Sequence, residues 1–559
     1  MSQKTGPLVY CALGGAGEIG MNCYMYGLGD ARARRWIMVD LGIGFGDMET
    51  APGVELVLPD ISFAVEERDS LEGIFITHAH EDHIGAIPHL WRKLKLPIHA
   101  RPFTAEVIRR KMHDAGLDPF LIKTVETGER VAAGPFEVEF LPTTHSIPEA
   151  SMLAIRTGHG TIVHTGDFKT DRDPQIGPPF DLAALERLGD EGVLALMCDS
   201  TNVFAAGEGG SEADVVQTLA RLIAKQPKAV AATTFASNIV RLRTLARAAE
   251  AAGRSVVVAG RAMQRMIQIG TETGIVSDFP PILRDSQADD IPRENLFYLV
   301  SGSQAENRAA LARIAGGSHP TVELKPDDTV LFSSKNIPGN EAGIARLQNR
   351  LSEQGIRVID SDMERIHVSG HARREDLRAV TQALRPSVAV PIHGEHRHLV
   401  EHASAALGWG VPHTTIAPNG AVVRLDGDVP GVVEHVETGR IFLDGTAHVG
   451  SHDGVIRERL RMARLGHVIV SVIVDEEGDL LADPDVRCLG APKDGEGWPA
   501  PLEEMIAQSV DDAIEDTPRK NRRTDGPLEE LILRAARRIT GRYWGKKPVT
   551  TVMIARLEE

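Results

Sequence analysis

The stretch Thr77-His78-Ala79-His80-Glu81-Asp82-His83 places three imidazoles and the Asp82 carboxylate within six residues. The apolar segment Gly73–Thr77 predicts a strand before it, and Ile84–Leu94 predicts a helix after it. Side chains on a strand-to-helix turn can converge on one point, and nitrogen and oxygen donors of this kind bind divalent metals. This density and placement argue against a polar surface loop that is rich in histidine by chance.

Three further donors follow predicted strands elsewhere in the chain. They are His145 in LPTTHSIPE, Asp167 in HTGDFK and His393 in PIHGEH. Two metals need more ligands than one segment supplies, and a pair of metals can hold a hydroxide and clamp a phosphodiester. We therefore expect two metal sites that share Asp167 as a bridge, with the other donors divided into His78, His80 and His145 at one metal and Asp82, His83 and His393 at the other.

Composition limits the class of protein. A chain of 559 residues predicts three or four domains, and a hydrophobic share of 42% is enough for packed cores. The 61 Lys and Arg against 78 Asp and Glu give a net charge of −17, which argues against nucleic-acid binding over the whole surface but not against a nuclease with a local positive field. Four scattered cysteines predict a reducing cytoplasm, and no segment predicts a signal peptide or a membrane span.

The pattern of strands and helices changes along the chain. Residues 1–208 alternate short strands with glycine-rich turns, and residues 209–362 alternate helices with buried strands, which is typical of a parallel α/β domain. The short-strand pattern returns over residues 363–450, where a polar, glycine-rich part near 426–455 predicts a linker. Residues 451–559 predict a small C-terminal α/β domain. The chain is therefore expected to be an α/β protein throughout.

The HxHxDH stretch, followed by His145, Asp167 and His393 in that order, resembles the metallo-β-lactamase superfamily. The resemblance implies an αββα sandwich with metals at one edge. Compact members have a short interval between the bridging aspartate and the last histidine, whereas here residues 209–362 fill it. An insertion at this place resembles the β-CASP branch, which processes nucleic acids.

Further motifs narrow the resemblance. CDSTN at Cys198–Asn202, HVSGHA at His367–Ala372 and PIHGE at Pro391–Glu395 match the three later motifs of that branch. Together with GGAGEIG at Gly14–Gly20 and YWGKKP at Tyr543–Pro548, they make the chain similar to the ribonuclease J family over essentially its whole length.

The resemblance implies a ribonuclease with 5′→3′ exonuclease activity on RNA that carries a 5′-monophosphate, plus endonuclease activity, in rRNA processing and mRNA decay. A metal-bound hydroxide is the expected nucleophile, with Asp82 among the catalytic residues. His371 is expected to protonate the leaving oxygen, and Asp199 to keep His371 charged. The terminal phosphate is expected to bind at two segments. The first, at a helix start, consists of Ala236, Ser237 and Asn238. The second consists of His367, Val368, Ser369, Gly370 and His371. A plain helix cap and a buried hydrogen-bonding turn are the alternatives for these segments.

The expected cofactors are two divalent ions. The histidine-rich donor set favours Zn²⁺, with Mn²⁺ as the working alternative. The resemblance also implies a structural Ca²⁺, for which Asp444 in FLDG is a candidate ligand. The expected partners are single-stranded RNA, further copies of the chain in a homodimer or homotetramer, and proteins of an RNA-decay complex, with no membrane.

Several other interpretations compete with this one. Gly15–Gly20 is a GxGxxG sequence after a strand, and Asp40 follows a later strand as in dinucleotide-binding folds, but residues 21–35 predict strand and turn instead of the required helix. A thioester or lactam hydrolase would need neither the insertion nor HVSGHA. A scaffold without activity would tolerate the loss of a donor, and a DNA nuclease stays open. His396, His398 and His402 predict the exposed face of a helix, with an extra metal site as the alternative.

Overall fold

The computed structural model describes residues 6–337, 339–427 and 429–557. The chain forms two compact units. The first comprises Met1–Gly44 and Leu58–Arg440, and the second comprises Phe45–Val57 and Ile441–Glu559. Two short strands, Gly44–Phe45 and Leu56–Pro59, lie where the chain passes between the units. Among the described residues no helix is both long and apolar enough to cross a lipid bilayer.

The first unit contains a sandwich of two sheets. The first sheet has eight strands in the order Gly431–His435, Ala421–Arg424, Leu8–Gly14, Cys23–Leu28, Arg35–Val39, Leu71–Phe75, Ile98–Ala100 and Ile122–Thr124. The second has seven, in the order Arg130–Ala133, Phe136–Pro142, Ser151–Thr157, Gly160–His164, Val193–Asp199, Val388–Ile392 and His413–Thr414. Alternate residues of both sheets, such as Tyr10, Tyr26, Phe140 and Ile155, meet in one buried core.

Helices cover the outer faces of this sandwich. On the first sheet, Pro102–Asp114 contacts the strands Ile98–Ala100 and Ile122–Thr124, and the neighbouring helices are Ser62–Glu66 and Ile87–Leu94. On the second sheet, Leu182–Glu191 and Arg374–Leu384 pack into an apolar cluster, and His396–Gly408 contacts Val388–Ile392. The result is the expected αββα arrangement. No helix intervenes between Leu8–Gly14 and Arg35–Val39, where the structure has the strand Cys23–Leu28, so the dinucleotide-fold alternative is excluded.

The chain between the two parts of the sandwich forms a parallel α/β domain. Its six strands are all parallel, in the order Ile282–Leu283, Ser255–Ala259, Leu296–Val300, Val230–Thr233, Thr329–Phe332 and Arg357–Ile359. Ala213–Lys225, Ile239–Ala251 and Arg261–Glu272 pack on one face, and Ala310–Ala315 and Glu341–Glu353 on the other. The strands are apolar on both sides because both faces are covered.

A buried network of charged side chains joins this inserted domain to the sandwich. Lys169 Nζ lies 2.9 Å from Asp171 Oδ2 and 3.8 Å from Glu212 Oε1. Glu212 Oε2 accepts hydrogen bonds from Nε and Nη2 of Arg241 at 3.0 and 2.8 Å, and Arg241 Nη1 donates to the Ile366 carbonyl at 2.7 Å. All four side chains are buried. The network therefore ties the loop after Asp167 to the segment that precedes His367.

The second unit is a small α/β domain. Its sheet has the order Asp485–Leu489, His467–Val474 and Val549–Arg556, and the helices Leu502–Glu515 and Asp525–Ile539 cover one face. Val455–Leu465 is a further helix, and Thr540–Trp544 is a π-helical turn. The predicted linker near 426–455 was wrong in part, because its glycines separate short strands at Gly431–His435, Arg440–Asp444 and Ala447–Gly450.

Candidate metal centre

The first donor group lies where strands of both sheets end at the same edge. One potential ligand atom from each of His78, His80, His145 and Asp167 lies within 4.8 Å of the others. His80 Nδ1 is 3.1 Å from His78 Nε2 and 3.1 Å from His145 Nε2, and Asp167 Oδ2 is 3.7 Å from His78 Nε2. Burial lowers the pKa of His80 to about 4 and those of His78 and His145 well below the usual range. These imidazoles are therefore neutral, which is the form that binds a metal.

The second group consists of Asp82, His83, His393 and again Asp167, with potential ligand atoms within 4.8 Å of one another. His83 Nε2 is 3.3 Å from Asp167 Oδ1 and 3.6 Å from Asp82 Oδ2, and His393 Nε2 is 3.9 Å from Asp82 Oδ2. The two oxygens of Asp167 thus face the two groups. The structure brings together all seven residues that the sequence singles out as donors.

The charges at the centre show that the residues fit a cation. Burial alone would lower the pKa of His83, but Asp167, Asp82 and Asp40 raise it well above the usual range. Burial alone would raise the pKa of Asp167, but His393, His83 and His371 lower it well below. Within the described residues, the buried Oδ1 of Asp167 has no hydrogen-bond donor in good geometry. A metal ion would satisfy this oxygen and replace the protons that the cluster otherwise holds.

Further polar groups orient these donors. His83 Nδ1 pairs with Asp40 Oδ2 at 2.7 Å, and the Thr77 amide and hydroxyl both donate to Asp40 at 2.8 Å. His393 Nδ1 donates to Asn22 Oδ1 at 2.7 Å, an oxygen that also accepts from the Tyr24 hydroxyl. Asp40 and His393 have φ values of 60° and 49°, a strained conformation that the fold holds at this edge. These contacts fix which ring nitrogen of each histidine faces the cluster.

Sequence reasoning did not find Asn22, Thr77 or the role of Asp40. Asp40 was noticed only as the acidic residue of a dinucleotide fold. The available signal for this role was the position of Asp40 at the end of the strand Arg35–Val39. This strand pairs in parallel with Leu71–Phe75, the strand ahead of the HxHxDH turn. A carboxylate at the end of a neighbouring parallel strand points to the same edge of the sheet.

His371 lies beside the cluster as an ion pair with Asp199. Its Nδ1 is 2.8 Å from Asp199 Oδ2, and its Nε2 is 3.8 Å from Asp167 Oδ2. Asp199 Oδ1 accepts from the amide and hydroxyl of Thr201 at 2.8 and 2.6 Å, which fixes the carboxylate. Burial alone would lower the pKa of His371, but Asp199 and Asp167 raise it to about 9. The imidazole is therefore a cation that can donate a proton from Nε2.

The segment from His367 to Gly370 lies against the same cluster. Gly370 O accepts from His145 Nδ1 at 2.6 Å, and a Cβ at Gly370 would lie 2.8 Å from His145 Cε1, so only glycine fits. Ser369 Oγ accepts from Asn202 Nδ2 at 2.9 Å. The buried Nδ1 of His367 has no hydrogen-bond partner among the described residues, and burial with the nearby Arg241 and Lys335 lowers the pKa of His367 to about 3. The surroundings of this histidine are thus positively charged.

Three of the predicted phosphate-binding residues have side chains that make other contacts. The Val368 side chain packs in the core of the inserted domain, so that residue offers only its backbone. Asn238 Oδ1 accepts from the Arg241 amide at 3.0 Å and caps the helix Ile239–Ala251, and Ala236 packs against the same core. Phosphate binding by the backbone of this segment stays a prediction. Ser237 lies between them. The bond from Arg241 to Ile366 O places this helix start next to the HVSGHA segment.

Other predicted features also differ from the sequence interpretation. His396 is exposed at the start of its helix, but His398 and His402 are buried, and His402 Nδ1 pairs with Ser200 Oγ at 2.9 Å. Among the described residues none of these three histidines belongs to a group of potential metal ligands. Asp444, the candidate calcium ligand, forms an ion pair with Arg459.

Comparison with protein-family models places matches along the chain. The model of the metallo-beta-lactamase superfamily matches residues 17–231, and that of the ribonuclease J beta-CASP domain matches residues 227–351. The model of a Zn-dependent metallo-hydrolase RNA specificity domain matches residues 343–413, and that of the ribonuclease J C-terminal domain matches residues 454–557.

Whole-chain relatives decide the assignment. Ribonuclease J of Sinorhizobium meliloti is 43% identical over 98% of this chain and 97% of the relative. The chain belongs to the ribonuclease J family. Two further relatives are similar over most of the chain. Ribonuclease J of Mycolicibacterium smegmatis is 37% identical over 97% of this chain and 95% of the relative, and ribonuclease J of Synechocystis is 36% identical over 91% of this chain and 79% of the relative. A crystal structure of a protein of unknown function from Enterococcus faecalis shares the fold, with a TM-score of 0.53 and 18% identity over 75% of this chain and all of that one. As a member of this family, the chain is a metal-dependent ribonuclease.

Replacing Asp40 by Asn tests the role of the polar groups that surround the donors. We expect zinc affinity to fall about 10- to 100-fold, because His83 loses the carboxylate that holds its ring. Competition with a metal chelator measures this affinity. Asp30→Asn, in an exposed turn, is the control. Unchanged zinc affinity in Asp40→Asn would show that Asp40 does not orient His83 toward a metal.

Proposed function

We propose that this ribonuclease removes nucleotides in the 5′→3′ direction from single-stranded RNA with a 5′-monophosphate, and that it also cuts RNA internally. The observation that carries the proposal is the contact between Gly370 and His145. It sets the HVSGHA segment directly against a donor cluster, and among the described residues the Nδ1 of His367 in this segment has no hydrogen-bond partner. A terminal phosphate bound there lies at a fixed distance from the cluster, which favours removal of a fixed number of nucleotides in each cycle.

We assign two divalent ions to the two donor groups, one to each, with Zn²⁺ preferred over Mn²⁺ because most donors are imidazoles. When bound, such ions supply a water that is deprotonated at neutral pH and neutralise negative charge on the phosphate. Asp167, with one oxygen toward each group, is the residue suited to bridge them. Asp82 completes the second group from the HxHxDH turn and is the carboxylate there with partial exposure to substrate.

The residues beside the donors have separate tasks. An enzyme that needs a 5′-phosphate in every cycle must leave one on the shortened RNA, so the bond that breaks is the one between phosphorus and the 3′ oxygen. His371 Nε2 protonates that oxygen, and Asp199 keeps the imidazole charged and oriented. His367, Ser369 and the backbone of Val368 and Gly370 bind the terminal phosphate, with Ser237 on the side of the inserted domain.

The biological setting follows from this chemistry. Such an activity serves rRNA processing and mRNA decay in the cytoplasm. All four cysteines are unpaired, as is usual in a reducing compartment. The proposal also includes association of further copies into a homodimer or homotetramer, binding to proteins of an RNA-decay complex, and a structural Ca²⁺. These three parts rest on the family alone.

One RNA with three different 5′ ends tests the proposal. A 3′-labelled single-stranded RNA carries a monophosphate, a triphosphate or a hydroxyl, and its digestion is followed with and without a metal chelator. We expect rapid, chelator-sensitive shortening of the monophosphate RNA and slow shortening of the other two, because the proposed binding of a terminal monophosphate by His367, Ser369 and Gly370 places it next to the donors. The His367→Ala variant should lose this preference while it keeps internal cutting.

Two results would contradict parts of the proposal. Equal digestion of all three RNAs would remove the phosphate pocket and leave an endonuclease. Faster digestion of single-stranded DNA of the same sequence would favour the DNA nuclease, because the 2′-hydroxyl distinguishes the two polymers.

A further inference from the structure

An exposed aromatic side chain, Phe204, lies in the turn that follows the strand Val193–Asp199, and its exposed fraction is 53%. The same turn contacts the site at two points. Thr201 Oγ1 donates to the His393 carbonyl at 3.1 Å, and Asn202 Nδ2 donates to the His371 carbonyl at 3.1 Å. Phe204 therefore lies two residues after Asn202, whose side chain is bonded to the backbone of His371, the expected proton donor.

A second segment of the site presents a cation to the same ring. The helix His396–Gly408 begins three residues after His393 and carries Arg397, whose guanidinium carbon lies 5.7 Å from the centroid of the Phe204 ring. The Arg397 side chain is exposed, and its Nε donates to Glu395 Oε2 at 2.9 Å. The ring of His398 lies 5.3 Å from that of Phe204. The Phe204 ring and the Arg397 guanidinium therefore form one exposed surface, and the ring of the buried His398 lies against Phe204.

This surface is fixed to the donors by close packing. A Cβ on Gly394, the residue after His393, would lie 2.9 Å from His398 Cβ and 3.2 Å from Ser200 Cβ. The turn that carries Phe204 and the helix that carries Arg397 therefore meet at Gly394 without space between them. His398 is buried, and within the described residues its Nδ1 has no hydrogen-bond partner. A ligand on this surface would sit at a set position relative to His371 and His393.

We propose that Phe204 and Arg397 form a stacking platform for a nucleobase of the bound RNA. A single exposed phenylalanine needs no explanation, but an exposed ring with a guanidinium against it, at the rim of a ribonuclease site, matches the way proteins hold unpaired bases. The inference rests on the proposed single-stranded substrate. It also explains how a chain with a net charge of −17 holds RNA without a basic surface throughout.

The position of the turn selects the nucleotide. Asn202 is bonded both to Ser369 Oγ in the phosphate pocket and to the carbonyl of His371. Both groups act on the nucleotide that carries the terminal phosphate and the leaving 3′ oxygen. The base stacked on Phe204 is therefore that of the nucleotide on the 5′ side of the bond that is cut.

An abasic substrate tests the platform. A 5′-monophosphorylated RNA is made with and without a base at its first nucleotide, and kcat/KM is measured for the wild type and for Phe204→Ala. We expect the abasic RNA to lower kcat/KM of the wild type about tenfold. With intact RNA, Phe204→Ala should also have a kcat/KM about tenfold below that of the wild type, mainly because KM rises. With abasic RNA, kcat/KM of this variant should fall almost no further.

Matched variants separate stacking from structure. Phe204→Trp should keep the wild-type rate, and Phe204→Leu, of similar size but without an aromatic face, should lose as much as the alanine variant. Phe120→Ala removes another exposed ring, on a different loop; it is the control and should leave kcat/KM unchanged. Arg397→Gln should give a smaller loss in the same direction.

The failure of this inference differs from failure of the proposed function. If the wild type shortens the monophosphate RNA but Phe204→Ala and Phe204→Leu do so equally fast, the platform does not exist. The same follows if the penalty of the missing base is as large in Phe204→Ala as in the wild type. A wild type that does not shorten the monophosphate RNA at all contradicts the proposed function, and the inference falls with it.

Discussion

Asp167→Asn is expected to lower RNA cleavage by about 10³-fold or more, because several kcal/mol of charge stabilisation depend on the proposed two-metal arrangement. The amide keeps the size of the side chain, which is almost fully buried. It removes the negative charge that His83, His393 and His371 stabilise, and it cannot offer two anionic oxygens to two ions. We therefore expect the bound zinc to fall from two ions to one or none per chain.

The measurement combines metal analysis of the purified variant with single-turnover cleavage of the monophosphate RNA. Asp173→Asn is the matched control, since that carboxylate lies six residues further along the same loop and is exposed. The control should bind two zinc ions and cleave at the wild-type rate. An Asp167→Asn variant with full zinc content and a near-normal rate would show that Asp167 does not bridge two metals.

His371→Ala is expected to lower kcat by about 10²- to 10⁴-fold, the usual contribution of a positioned general acid. Zinc content should stay unchanged, because neither proposed ion is assigned to His371; this residue shares a third group of potential ligands with Asp199 and His393, but its Nδ1 pairs with Asp199 at 2.8 Å. An RNA with a sulfur atom in place of the leaving 3′ oxygen should cleave at similar rates with both enzymes, since a thiolate leaves without a proton. His435→Ala, an exposed histidine of an edge strand, is the control.

The pH profile of Asp199→Asn gives an independent check on the same group. The acid form of His371 is present below its pKa, so the rate falls as the pH rises through that value. Asp199 is the main partner that raises the pKa of His371. Its neutral replacement lowers that pKa, and the falling limb of the profile should move to lower pH than in the wild type. If the falling limb of the pH profile stays at the same pH in Asp199→Asn, His371 is not the acid. The same conclusion follows if His371→Ala cleaves the RNA with the 3′ sulfur as slowly as the RNA with the 3′ oxygen.

The donors of this site could be predicted from sequence because they are dense and follow strands. His78, His80 and His83 fall within six residues. His393 comes directly after a buried strand, and Asp167 comes three residues after one. The periodicity of residues 209–362 also predicted the parallel domain correctly. Both kinds of signal are local, and local spacing is what a single sequence shows well.

The groups that support the donors could not be predicted in the same way. Asn22 and Asp40 contact His393 and His83 only after the sheets have formed, and the contact from Asn22 spans most of the chain. The network of Lys169, Asp171, Glu212 and Arg241 depends on packing between two domains. The predicted linker failed for another reason, because glycine-rich polar composition also describes short strands joined by tight turns.

The strand order of the sandwich determines when a growing chain becomes an enzyme. Val388–Ile392 is an interior strand that pairs with Val193–Asp199, and Ala421–Arg424 pairs with Leu8–Gly14, the first strand of the fold. During synthesis the first strand of the sandwich is made long before the strand that pairs with it. His371 and His393 are made only after the inserted domain. Six of the seven donors are made long before the seventh. A nascent chain therefore has no complete site until the segments that carry His371 and His393 and the strand Ala421–Arg424 have been made, which delays any cutting of its messenger to the last part of synthesis.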